Sequence, residues 1–142
     1  GGYKIKPSFN ANDQFLYGEK IIQNDDDLKF IQDALNVATN EWRGTSYRSR
    51  LKGDLKYCGK TGTSQVRKIT QEQRDLNIKN KDLPWKFRDH SLFTGYGPVS
   101  NPEYAVSVVI DHGGSGSSKA APISKKVMSK VFELYFQKEK NV

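Results

Sequence analysis

The sequence predicts an α+β fold in which helices cover an antiparallel sheet. Three observations predict it. Leu28, Ile31, Leu35, Ala38 and Trp42 recur at three- and four-residue steps. Residues 91–99 and 104–111 are β-rich runs joined by the turn formers of 98–102. A second helical repeat, with Ile123, Val127, Val131 and Leu134, follows Pro122. The order helix, strands, helix, with no internal repeat, fits a sheet covered by helices.

The elements follow in order. Tyr3 to Lys6 alternates and stops at Pro7, which reads as a short strand. Phe15-Leu16-Tyr17, Gly18-Glu19 and Ile21-Ile22 suggest a small hairpin. Residues 24–27 are helix starters, with acids at the positive end of the dipole, and predict a helix over 27–43 stopped by Gly44. Its apolar stripe is expected in the core. Residues 45–56 form a polar, basic connection, and 55–66 read as a strand. Residues 67–90 carry seven Lys/Arg and four Asp/Glu and are broken by Pro84, a polar loop that Trp85 and Phe87 would pin to the body. Arg88-Asp89-His90 suggests an internal ion pair at a strand start. His112-Gly113-Gly114 predicts a tight turn before the helix over 122–137.

Composition narrows the function classes. With 142 residues the chain can hold one domain core. Position 1 is not Met, and Met128 is the only one, so the chain reads as a processed or excised piece of a longer protein. Mean hydropathy is −0.75, polar for a folded domain, and no run reaches the ~18 apolar residues of a membrane span. One cysteine, Cys58, rules out an internal disulfide or a cysteine-built metal cluster; buried and inert is its expected state. His90 and His112 show no metal-ligand spacing. The net charge of +7 suits either a solvated basic surface or an anionic partner.

The stretch that carries chemistry is Cys58-Gly59-Lys60-Thr61-Gly62-Thr63-Ser64-Gln65. Gly59-Lys60-Thr61 matches the end of a phosphate-binding loop, but Asp54 stands where the first glycine is required, and no helical face follows. The alternative is a K-T-G strand bordering an active site. A period of two puts Thr61 and Thr63 on one face and Lys60, Gly62 and Ser64 on the other. Two hydroxyls can then bind a carboxylate. Gly62 permits close approach of a ligand or backbone. The Thr63 N–H can serve a developing oxyanion, and Lys60 adds positive charge.

Four blocks in one order give the motif its weight: residues 60–65, Arg88-Asp89-His90-Ser91-Leu92-Phe93, residues 101–109 beginning Asn101-Pro102-Glu103-Tyr104, and His112-Gly113-Gly114-Ser115-Gly116. Together they resemble class B penicillin-binding proteins of the elongation type, over nearly the whole chain. The resemblance implies part of the penicillin-binding transpeptidase, or serine β-lactamase-like, fold, with residues 1–142 a C-terminal fragment. It implies a D,D-transpeptidase that cross-links peptidoglycan stem peptides through a serine acyl-enzyme and is acylated by β-lactam antibiotics, with no cofactor or metal. Lys60 and Thr63 would act catalytically, and Thr61, Gly62, Thr63 and Ser64 would bind substrate. Elongation-complex wall-synthesis proteins would be partners, nucleic acid would not, and the location would be the periplasmic side of a bacterial inner membrane.

One departure matters. Such a serine lies in an S-x-x-K element placed before S-x-N and K-T-G. Here Ser49-Arg50-Leu51-Lys52 follows Ser8-Phe9-Asn10, the reverse order, so both are read as accidents, with Ser49 a surface residue. The nucleophile is expected upstream of Gly1 and the fragment alone is expected to be inactive. An exposed sheet margin could also pair with a second copy. The rival classes are a nucleotide-binding enzyme using Gly59-Lys60-Thr61 and a basic non-catalytic binding module.

Overall fold

A computed structural model describes residues 1–10, 17–53, 55–76 and 78–139, with side chains followed to Leu134 in the last helix. The chain divides into two compact units, Gly1–Ala34 and Leu35–Val142.

In the first unit, β1 (Tyr3–Ile5) pairs antiparallel with β2 (Tyr17–Lys20), and Tyr3 meets Tyr17 edge-on at 5.7 Å. The expected hairpin is corrected: residues 15 and 16 lie outside the described residues, and Tyr17–Lys20 forms one strand whose partner is β1. Helix α1 (Asp25–Asn40), whose residues belong to the first unit up to Ala34 and to the second from Leu35, starts two residues earlier and ends three earlier than predicted. Asn24 caps it by accepting the Asp26 N–H on Oδ1 at 2.9 Å, and Asp25, Asp26 and Asp27 fill its first turn. Its stripe is not the core expected of it. Ile31 and Trp42 are 44% and 69% exposed, and Thr39 is its one fully buried residue. Periodicity identified the helix; it did not determine what the stripe faces.

The second unit holds the sheet, in the order β3 (Cys58–Ser64), β4 (His90–Gly97), β5 (Tyr104–Ile110), all antiparallel. Between β3 and β4 the chain makes the short helix α2 (Gln71–Asp75) and two 3₁₀ turns, Asn80–Asp82 and Trp85–Phe87, where a loop was expected. Trp85 reaches the body through an edge contact with His112 at 4.4 Å. Arg88, Asp89 and His90 do not pair with one another. Arg88 donates to the Leu83 and Lys81 carbonyls, Asp89 accepts from Asn80, and His90 faces Asp111.

Unbroken register makes the sheet two-faced. Thr61, Phe93 and Val108 stand side by side across the three strands, as do Gly59, Gly95 and Val106. This face packs on α3 (Ala120–Glu139), which brings Ala120, Ala121, Met128 and Phe132 to Phe93 and Tyr57. The face predicted for this helix is corrected. Ile123, Val127 and Leu134 are more than two-fifths exposed, whereas Ala121, Ser124, Met128 and Phe132, four residues apart except at the first step, are buried. Alanine and serine win at the N-terminal end because the helix there lies too close to the strands for branched side chains. Lys60, Thr94, Ser107 and Val109 are exposed on the opposite face of the sheet.

Candidate functional site

Residues 60–64 lie extended along the outer strand β3, whose other side pairs with β4. The phosphate-loop alternative fails here, because Gly59-Lys60-Thr61 opens no helix.

The backbone of β3 is aimed by one buried hydroxyl. Thr39 Oγ1 accepts the Gly59 N–H at 3.0 Å and donates to the Gly59 carbonyl at 3.1 Å. Gly59 therefore turns both groups away from β4. The strand period of two, uninterrupted from Cys58 to Ser64, turns the N–H and C=O of Thr61 and Thr63 the same way. The Thr61 carbonyl accepts Lys60 Nζ at 2.9 Å, as that direction requires. Thr61 Oγ1 donates to Thr45 Oγ1 at 3.1 Å, while the Thr63 side chain is exposed. A ligand laid along this margin meets two outward N–H groups, two threonine hydroxyls from one side and the Lys60 ammonium from the other.

Gly62 and Gly116 hold the strand from the α3 end. Gly116 is buried so close over the sheet that a Cβ on it would fall 2.4 Å from the Gly62 carbonyl oxygen and 2.5 Å from that of Leu92. Ser91 fixes this loop: its buried hydroxyl donates to the Ser115 carbonyl at 3.0 Å and accepts the Ala120 N–H, the first of α3, at 3.1 Å. His112 (φ 53°) and Gly114 (φ 82°) make the turn that leads into it. Sequence reasoning missed Thr39 and Ser91. Each is a single hydroxyl in an apolar pattern, and the only signal was a polar residue at a position facing the core.

Thr39→Val keeps the shape and removes the hydroxyl, leaving two buried backbone groups of Gly59 without it. The expected loss is about 1–3 kcal/mol by urea unfolding, with Thr39→Ser retaining most of the stability. Equal losses in both variants would assign the role of Thr39 to its methyl group.

Ser49 is buried, 2% exposed, and not on the surface as expected; its carbonyl accepts the Tyr57 hydroxyl at 2.8 Å. It ends a three-residue 3₁₀ turn (Tyr47–Ser49), and Arg50 is already extended, so Lys52 is not one helical turn from it. Ser8 and Asn10 form a local turn in which the Asn10 N–H donates to Ser8 Oγ. Cys58 is fully buried and faces Tyr96 across the strands; burial pushes its thiol pKa up, with the hydrogen bond to the Tyr96 side chain pulling the other way. No His/Cys/Asp/Glu group able to hold a metal occurs among the described residues.

A family model described as the penicillin binding protein transpeptidase domain matches residues 1–129. The peptidoglycan D,D-transpeptidase MrdA of Salmonella typhimurium is 30% identical over 103 residues, 72% of this chain and 16% of that protein. The protein of the same name from Haemophilus influenzae is 34% identical over 89 residues, 63% of this chain and 13% of its own length. Among solved structures, Pseudomonas aeruginosa PBP2 in complex with WCK 5153 superposes with a TM-score of 0.61 at 26% identity, covering 88% of this chain and 23% of that one. Helicobacter pylori PBP2 in its complex with MreC gives 0.68 at 24% identity, covering 91% of this chain and 21% of that one, a likeness of fold. The chain thus spans under a quarter of the length of each of these relatives.

Proposed function

This chain belongs to the penicillin-binding protein transpeptidase domain family, and we propose that it supplies the K-T-G-T margin of a D,D-transpeptidase active site whose nucleophile lies elsewhere in a longer protein. The observation that carries the reading is the open edge at Lys60–Ser64, with its alternate backbone groups turned outward.

The terminal carboxylate of a peptidoglycan stem peptide, or the carboxylate of a β-lactam, lies against the Thr61 and Thr63 hydroxyls. On the opposite face, beside Lys60, Gly62 lets a ligand or backbone approach the strand closely and Ser64 extends the substrate-binding margin. The Thr63 N–H donates a hydrogen bond to the carbonyl oxygen on which negative charge develops as a serine attacks; losing one such donor raises the barrier by about 3–4 kcal/mol. Lys60 orders the proton-carrying groups around that serine. Because Lys60 stands on the face away from α3, the nucleophile-bearing part must approach from that face, where Val109 is 61% exposed. β5 also has no partner on its outer side among the described residues, so further chain or a second copy would complete the sheet.

The names of the relatives support peptidoglycan cross-linking as the reaction, and the complex of the Helicobacter protein with MreC supports wall-synthesis partners. No helix among the described residues is long and apolar enough to cross a membrane. The periplasmic side of the inner membrane is the location this activity requires, since stem peptides are cross-linked there.

Fluorescent penicillin tests the assignment. The full-length protein is expected to be labelled on a serine outside these 142 residues, and the 142-residue chain to remain unlabelled. Peptide mapping that places the label on Ser49 would overturn it.

A further inference from the structure

Away from the K-T-G-T margin lies a groove of about 940 Å³ between residues 42–49 and the outer side of α3, lined by Trp42, Arg48, Ser117, Ser118, Lys125 and Lys126, with Lys130 and Glu133 at its far end. Three features of this groove have no account in the fold. Arg48, Lys125 and Lys126 have no ion-pair partner among the described residues, although Lys125 is half-buried. The first turn of α3 holds no acid, and Lys119, Lys125 and Lys126 all precede the first one, Glu133. That arrangement opposes the helix dipole, whereas the three aspartates opening α1 obey it. Trp42 stays 69% exposed on the rim, its ring touched by Arg43 at 4.6 Å.

We propose that this groove docks an extended acidic segment of a partner protein, with the acids at the end nearest Ser117 and Ser118. The wall from Pro122 to Glu133 is roughly 17 Å long at ~1.5 Å per helical residue, room for about five residues of extended peptide. A single small anion would leave most of that length empty. A flat lipid surface cannot enter a concavity. A uniformly charged phosphate chain would run onto Glu133, which already neutralises Lys130 at 2.7 Å. A peptide with its acids at the end nearest Ser117 and Ser118 meets Lys125 and Lys126 in the part of the α3 wall that precedes Glu133, Arg48 on the facing wall, hydroxyls along the groove and an apolar shelf at Trp42. The rim residue Thr45 bonds Thr61, so an occupant would lie one hydrogen bond from the K-T-G-T strand.

The test uses the full-length protein and a fluorescein-labelled hexapeptide with three glutamates at one end and a lysine at the other, followed by anisotropy. Binding is expected to weaken at least tenfold in Lys125→Glu/Lys126→Glu and in Arg48→Glu. It should change less than twofold in Lys4→Glu/Lys6→Glu, which shifts net charge by the same amount as the double variant outside the groove. Unfolding midpoints matched to the parent show that the variants fold. Equal weakening in the control pair overturns the site. So does groove-dependent binding of phosphatidylglycerol vesicles or of a thymidine oligonucleotide in preference to the peptide.

Discussion

Phe93→Ala is expected to cost about 3–5 kcal/mol of stability, the range for truncating a fully buried aromatic side chain. Phe93 sits mid-sheet on β4, 1% exposed, tilted against Tyr57 at 5.9 Å and paired across the strands with Thr61 and Val108. Its ring lies over the glycine pair Gly59 and Gly95: a Cβ on Gly59 would come within 2.6 Å of the ring, and one on Gly95 within 2.9 Å. Glycines have no side chain to swing into the space the ring would vacate, so the cavity cannot collapse from that side. Against a typical domain stability of about 5–15 kcal/mol, such a loss leaves much of the population unfolded near the low end. Urea unfolding followed by circular dichroism measures it. A loss under 1 kcal/mol would mean that the cluster of Tyr57, Met128 and Phe132 does not depend on the ring. Phe93→Leu, which keeps most of the volume, should fall well short of the alanine loss.

The same residue shows what was legible in advance. The alternation of β4 and β5 named the strands, because a period of two is a local property of each strand. The K-T-G-T positions were legible for the same reason, and the extended strand agrees. That Phe93 shares a face with Thr61 follows from the register between β3 and β4, which alternation within one strand does not report. What period cannot report is proximity. Whether α3 buries Ile123 and Val127 or Ser124 and Met128 depends on how near its first turns approach the sheet, and the glycine and hydroxyl contacts at Gly116 and Ser91 set that distance. The pairing of β1 with β2 joins segments more than ten residues apart and leaves no local trace. Ser49 was misplaced because a basic, polar neighbourhood reads as surface, while the Tyr57 side chain, eight residues on, reaches back to its carbonyl and closes over it.

Lys60→Ala is expected to lower the rate of acylation by fluorescent penicillin about 10²–10⁴-fold in the full-length protein, the span associated with losing a positioned proton-transfer partner. Stability should stay within about 0.5 kcal/mol of the parent, as for an exposed residue far from any core contact. The Lys60 side chain is exposed and donates to the carbonyl of its own neighbour Thr61, and it takes part in no ion pair among the described residues. This separation of rate from stability is what distinguishes the reading from its bland rival, a lysine on an ordinary edge strand, for which neither quantity moves. Thr63→Val sharpens the point. It removes the hydroxyl but leaves the backbone N–H turned outward, so it should weaken carboxylate recognition while retaining the oxyanion donor, giving a smaller loss than Lys60→Ala. Acylation of Lys60→Ala within threefold of the parent would remove Lys60 from the reaction and leave β3 a structural margin only.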